Sequence, residues 1–332
     1  MKKLAATMFL MAFFGAIVFA QQPPTLTIVT ETPGLPSDLF YGSVKVKPVR
    51  LRPPGSTSPY WCVGQPNSVI TINDCDFFIQ QQYIDFLRRF PEPAGLAFYL
   101  DIMKGCQPTD VECNKYTRGA LSANFFRSPE FQTKGSLVMY LYMISFGQRP
   151  VSVSELSDSS KVERPHYPEF MADVASITDP ADRNGPDPTK KAAFLAAWVQ
   201  RPEFLNLYQA FPTNAQLATA LGNKAGVTLS SSTQSAAAAA PSRAEVVRIV
   251  AESPEVNAKF YKPAFVTMEY FGYLRRDPED CHNSANWFGT SDGSGCGYIF
   301  HNNRFQLVAD PDFLENTIVR GFIESPEYIN RF

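Results

Sequence analysis

The chain has 332 residues, 45% of them hydrophobic and 13% aromatic, with a formal net charge of -2. That is enough apolar material for one large core or two smaller ones, and it excludes disorder over most of the length. So small a net charge gives no electrostatic reason to expect nucleic acid or an anionic membrane as partner.

Met1 to Ala20 reads as a secretory leader, with Lys2 and Lys3, an apolar run from Leu4, and Val18-Phe19-Ala20 before Gln21. No cysteine follows the run to take a lipid, and no other segment is apolar enough to span a bilayer. The expected destination is therefore outside the cytoplasm: periplasm, outer surface or medium, with no membrane span after cleavage. In an oxidising compartment the six cysteines read as disulfides. They fall as three sequential couples, Cys62 with Cys75, Cys106 with Cys113 and Cys281 with Cys296, and closure between near neighbours loses the least chain entropy. None has the short spacing of a zinc ligand pair.

Residues 21–75 form an extended, proline-rich arm, since each proline restricts its own φ and its predecessor's conformation. Two stretches in it have strand character, 26–30 and 43–47, too little for an independent domain. The period changes to helical from Asp76, where Phe78, Tyr83, Phe86 and Leu87 mark a buried face. Pro91 and Pro93 end that helix, and Ala94 to Met103 carries the next. Thr109 with Glu112 predicts a capping box for the helix after the Cys106–Cys113 loop. Ser128-Pro129-Glu130 then restarts the helix, because serine caps, proline suits the first turn and glutamate complements the dipole.

The same punctuation returns. Pro-Glu preceded by serine or arginine occurs at 129, 202, 254 and 326, while Thr213 with Gln216, Ser242 with Glu245, and Asp187-Pro188 mark further helix starts. Arg88-Arg89 and Arg275-Arg276 close two similar aromatic helices, and Tyr142 to Pro150 is a partial third. This self-similarity predicts an all-α fold, either a duplicated helical bundle or a short helical-repeat body. The expected organisation is a first helical subdomain over 76–223, a Ser/Ala-rich connector over 224–240 and a second subdomain over 241–332. At each arginine pair, one guanidinium is expected to bond carbonyls or a carboxylate at the helix end and the other to be solvated.

Tyr83, Phe86, Leu87, Arg89, Pro91, Gly95, Leu96, Phe98 and Tyr99, with Ser122-Ala123, Phe125-Phe126 and Glu130 to Gln132, resemble the bacterial extracytoplasmic "domain of unknown function 4214". Tyr270 to Arg276 is similar to it as well, so the resemblance covers about residues 76–332. It implies an all-helical domain, often attached to secreted or surface-exposed bacterial proteins, and carries no catalytic residues. The Cys- and Gly-containing insertion after Glu279 departs from the pattern.

Only three histidines are available as bases or ligands: His166, His282 and His301. His282 and His301 could approach each other near Asp280 or Asp292 and hold a metal, but no H-E-x-x-H or helix-spaced pair supports this. A G-x-S-x-G elbow and a phosphate loop are both missing from the sequence. Asp179, Asp182, Asn184 and Asp187 suggest calcium, although not at EF-hand spacing. Trp61, Trp198 and Trp287 with Tyr60, Tyr99 and Tyr298 could form a sugar platform; those at helical spacing belong to the core, which leaves Trp287 as the candidate ligand contact. No catalytic, cofactor or metal residue is assigned. The expected function is an exported non-enzymatic module of the cell surface, matrix or an assembly, contacting protein or glycan. The alternative is a secreted, metal-assisted hydrolase using His282 and His301.

Overall fold

The computed structural model describes residues 26–29, 38–41, 44–46, 51–52, 54–55, 58–150, 153–155, 158, 161–162, 164–178, 187–278, 298, 301 and 311–332. The leader, Cys281, Cys296, His282, Trp287 and most of the acidic loop at 179–187 lie outside them. The chain falls into two units, residues 1–31 with 36–48, and residues 32–35 with 49–332.

The first unit contains a three-stranded antiparallel sheet of β1 (Leu26–Val29), β2 (Asp38–Tyr41) and β3 (Val44–Val46). Leu26 lies opposite Tyr41, and Leu39 opposite Val46. The outer two strands match the stretches read as strands. The central one has no polar–apolar alternation to reveal it.

The second unit is built from helices. They run α1 (Cys75–Gln82), α2 (Pro93–Met103), α3 (Val111–Arg127), α4 (Pro129–Phe131), α5 (Leu137–Ser145), α6 (Tyr167–Ile177) and α7 (Pro188–Trp198). They continue with α8 (Pro202–Tyr208), α9 (Asn214–Ala225), α10 (Ser231–Ala238), α11 (Arg243–Ala251), α12 (Pro254–Glu269), α13 (Pro311–Ile323) and α14 (Pro326–Ile329). Every residue of α5 is buried, so its unbroken apolar sequence needs no polar face.

Two kinds of punctuation alternate along this body. Four residues with positive φ end helical runs: Arg88 (59°), Gly147 (118°), Gly226 (60°) and Arg275 (52°). Between and after them, four helices take the proline of a Pro-Glu step as their first residue, at Pro129, Pro202, Pro254 and Pro326. Before both arginines the helix widens by one π-turn, Tyr83–Leu87 and Tyr270–Leu274. A positive φ in a bulky residue is unfavourable, so the surroundings must hold it in place.

The contacts around these marks recur. Tyr83 packs edge-on to Phe125 at 4.8 Å, and Tyr270 to Phe322 at 4.9 Å. Tyr142 meets Trp198 in the same way at 4.8 Å. Arg89 lies over the Tyr83 ring and grips Glu130 with two nitrogens at 3.0 and 2.8 Å. Arg276 lies over Tyr270 and grips Glu327 at 2.6 and 2.9 Å. Beside Tyr142, at the position of Arg89 and Arg276, the chain has Gln148. There Arg164 enters from a later loop, over the Tyr142 ring at 5.4 Å and 3.5 Å from Glu203.

The two arginine-bearing segments also meet each other. Phe86 packs on Tyr273 at 5.0 Å, and a Cβ on Gly272 would lie 3.0 Å from Phe86. The Asp85 carboxylate, fully buried, accepts from Arg275 at 3.2 Å and Arg331 at 3.0 Å. Helices α3 and α13 cross at Gly119, where a Cβ would collide with Asn316 Oδ1.

Four expectations change. Residues 51–74, expected as part of a coreless arm, belong to the body: Val63 and Ile72 are buried, and Arg52 pairs with Asp74 at 3.2 Å and Asp76 at 2.7 Å. The Ser/Ala-rich stretch 224–240 contains α10, whose small residues let Thr233 and Ala237 bury against neighbouring helices; the body remains one unit across it. Helix α3 is capped by Asp110, whose carboxylate accepts from Cys113 N at 3.0 Å, in place of Thr109. The first arginine of each pair is not solvated, since the left-handed turn sends Arg88 inward and Arg275 to Asp85.

Candidate functional site

Two of the three expected disulfides fall among the described residues, and both form. Cys62 joins Cys75 and Cys106 joins Cys113, with Cα–Cα distances of 5.5 and 5.7 Å. The two bonds flank an open cleft of about 470 Å³. That volume lies within the range of small-ligand sites.

One wall is the loop carrying Trp61. Cys75 N donates to Cys62 O at 3.0 Å, fastening this loop to the start of α1 beside the disulfide. The Asp74 carboxylate accepts from Gly64 N and Thr71 N, each at 2.7 Å. A Cβ on Gly64 would lie 2.6 Å from Asp74 Oδ1, so the close turn requires glycine. With its neighbours tied down, Trp61 stays 42% exposed over the cleft.

The opposite wall is the start of α3. Val111, inside the Cys106–Cys113 loop, and Asn114, just after it, line this wall, and Lys115 and Arg118 follow one helical turn on. The end of α13 and α14 closes the third side with Ile323, Glu324 and Ile329. Val111 and Ile329 are exposed at 58% and 43%, so three large apolar side chains face solvent at one opening. Clustering of this kind, unlike scattered exposed residues, marks an interaction site.

Arg118 lies deepest among the cleft's cations. Its guanidinium rests 3.9 Å from the Phe78 ring centre and donates to Ile72 O at 2.8 Å and Asn73 O at 3.4 Å. Among the described residues no carboxylate pairs with it. Burial pushes its pKa down to about 10. Lys115 stands 3.9 Å from Glu112 and 3.8 Å from Glu324. Arg320 shares the same two carboxylates, each at 3.3 Å. Of these charged groups, Lys115, Arg118 and Glu324 line the cleft itself, two cations against one acid.

A second groove, of about 560 Å³, lies along α8 and α9 between Leu207, Phe211, Thr219 and Lys224. It has no disulfide at its rim and no tryptophan in its lining.

The other sequence candidates fall elsewhere. Trp198 is buried and donates to Ser145 Oγ at 3.1 Å. Tyr99 stacks on Phe125 at 4.8 Å, and Tyr60 donates to Asp101 at 3.3 Å. His166 Nδ1 lies 2.8 Å from Asp277 Oδ2, while Tyr167 N donates to the other oxygen. That carboxylate ties α6 to the segment after Arg276. His301 packs against Phe322 at 5.2 Å. Of the acidic loop, the described Asp187 caps α7 by accepting from Thr189 N and Lys190 N. Among the described residues no three His, Cys, Asp or Glu side chains are grouped to hold a metal ion. Sequence reasoning included Trp61 among the aromatics but preferred Trp287; the available signal was its place beside Cys62, outside any helix. Arg118 gave no signal, because the chain that leaves it without a carboxylate comes from three distant segments.

Compared with family models, curated proteins and solved structures, the chain matches none. Among the described residues no helix is long and apolar enough to cross a membrane.

Proposed function

We propose that this chain is an exported, non-enzymatic interaction module that receives a partner in the cleft beneath Trp61. The observation that carries this reading is the exposed Trp61, Val111 and Ile329 around one opening whose rim is cross-linked by two disulfides. An immobilised rim loses little entropy on binding, so exposed apolar area there converts more fully into affinity. The leader-like Met1 to Ala20 supports export.

We also read the recurring tyrosine, arginine and glutamate contacts as copies of one helical unit that serve as the scaffold for this rim. The resemblance of residues 76–332 to the domain of unknown function 4214 fits that scaffold role, because its shared positions include Tyr83, Arg89 and Glu130. The reading is tested by probing mature protein and its Trp61→Ala variant on arrays of peptides and oligosaccharides. The expected result is a ligand class retained by the natural chain and lost by the variant at an unchanged melting temperature. Equal retention by both proteins overturns the assignment of the cleft.

A further inference from the structure

The ligand class can be narrowed if the cleft beneath Trp61 is the binding site, on which this step rests. Its lining combines an aliphatic floor with a cationic wall. Ile72, Met103 and Ile323 provide a surface that hydrates poorly. A sugar ring, with hydroxyls around its edge, would leave many of those groups without partners against such a floor. An apolar side chain of a peptide has no such loss.

The cationic wall supplies the second element. Guanidinium carries five N–H donors, and Arg118 spends two of its nitrogens on the carbonyls of Ile72 and Asn73. It has no carboxylate partner among the described residues, and burial disfavours its charge. Asn114, on the same wall, is fixed by its side-chain nitrogen donating to Gln107 O at 3.1 Å, which leaves the amide oxygen to face a backbone N–H. Lys115 is held at 3.8 Å or more from both of its carboxylates, beyond hydrogen-bonding reach. A carboxylate arriving beside Arg118 and Lys115 would offset one unit of excess positive charge in a partly desolvated site, where charge pairs are stronger than in water.

We propose that the cleft binds an acidic peptide segment, seating an aliphatic side chain on the floor beneath Trp61 and placing a neighbouring carboxylate against Arg118 and Lys115. The occupant is thus a partner protein that presents an exposed apolar–acidic stretch. Charge complementarity selects it over a neutral apolar segment, and the aliphatic floor selects it over a glycan.

Isothermal titration calorimetry on the oxidised, mature chain tests this with three probes: acetyl-DLIES-amide, its neutral twin acetyl-NLIQS-amide, and cellohexaose. The acidic peptide should bind roughly tenfold or more tightly than the twin at low salt, and the difference should shrink as salt is added. Lys115→Gln, on an exposed helix face, should reduce the preference without changing the melting temperature, and Arg118→Gln should reduce it further. Trp61→Ala should weaken both peptides. Equal binding of the two peptides, both dependent on Trp61, overturns the acidic preference and leaves the cleft standing. Binding of cellohexaose alone overturns the peptide assignment. No Trp61-dependent binding of any probe overturns both this inference and the function on which it rests.

Discussion

Arg89 and Glu130 are joined by two nitrogen–oxygen contacts at 3.0 and 2.8 Å, with each side chain only 8% exposed. Arg276 and Glu327 repeat the geometry in a setting where the side chains are 35% and 47% exposed. The same fork therefore operates under two solvent conditions. Without Glu130, Arg89 keeps Glu92 at 2.7 Å, but Lys134, 3.2 Å from Glu130 and only 2% exposed, is left as a stranded buried charge. Glu130→Gln should lower stability by about 3 kcal/mol or more. Glu327→Gln should lower it by about 1 kcal/mol at most. Denaturant midpoints of the two variants check this, and comparable losses would show that burial does not govern the forks.

The left-handed positions offer a second test. Gly226 has φ 60°, and a Cβ there would meet only the tip of Lys259, at 2.8 Å. Backbone strain should thus dominate Gly226→Ala, with a loss of about 1–2 kcal/mol. Gly226→Asn should lose less, since asparagine tolerates this region. Thermal melts of both variants decide it, and an alanine variant as stable as the natural chain would contradict the assignment.

Reduction should act on the cleft before it acts on the helices. Cys62 and Cys75 are 13 residues apart, and Cys106 and Cys113 are 7 apart. Chain-entropy estimates give roughly 3 and 2.5 kcal/mol for the two closures. Replacing both members of the first pair by serine should lower the denaturation midpoint accordingly and mobilise Trp61, with helical circular dichroism retained. Faster acrylamide quenching of tryptophan emission would report the mobility.

Stability should fall at both ends of the pH scale for separate reasons. Burial raises the pKa of Tyr83, Tyr140, Tyr142, Tyr208, Tyr273 and Tyr328. A raised folded pKa means that the neutral form is favoured in the fold. Their contribution is therefore complete below the unfolded tyrosine value of about 10 and declines above it. On the acid side, the Ser230 hydroxyl and helix-start N–H groups hold the Glu255 carboxyl at about 2, and Arg248 lowers that of Glu245. Those contributions are present above the unfolded glutamate value of about 4.3 and are lost as pH falls towards 2. Melting temperature against pH should show both declines, with tyrosine ionisation coinciding with alkaline unfolding.

Local rules made much of the helical body legible. Ser128-Pro129-Glu130, Thr213 with Gln216 and Asp187-Pro188 each open a helix where the residue chemistry demands it. The Cys62 and Cys106 pairings followed from sequence proximity alone. Partners separated by long stretches of chain were not legible. Nothing in sequence spacing brings Asp85 to Arg275 and Arg331, or sends Arg164 to the place left by Gln148. The cleft belongs to the same class, because Trp61, Arg118 and Ile329 converge only through the packing of α3 against α13. Residues 51–74 were misread because proline density signals extension equally well in a loose arm and in a loop sealed by a disulfide.

Hydrogen–deuterium exchange of the oxidised chain, with and without saturating acetyl-DLIES-amide, tests the binding cleft most directly. The account predicts added protection confined to residues 61–73, 103–118 and 323–329, with the groove along α8 and α9 unchanged. Protection along residues 207–224 instead, or none near Trp61, would contradict it.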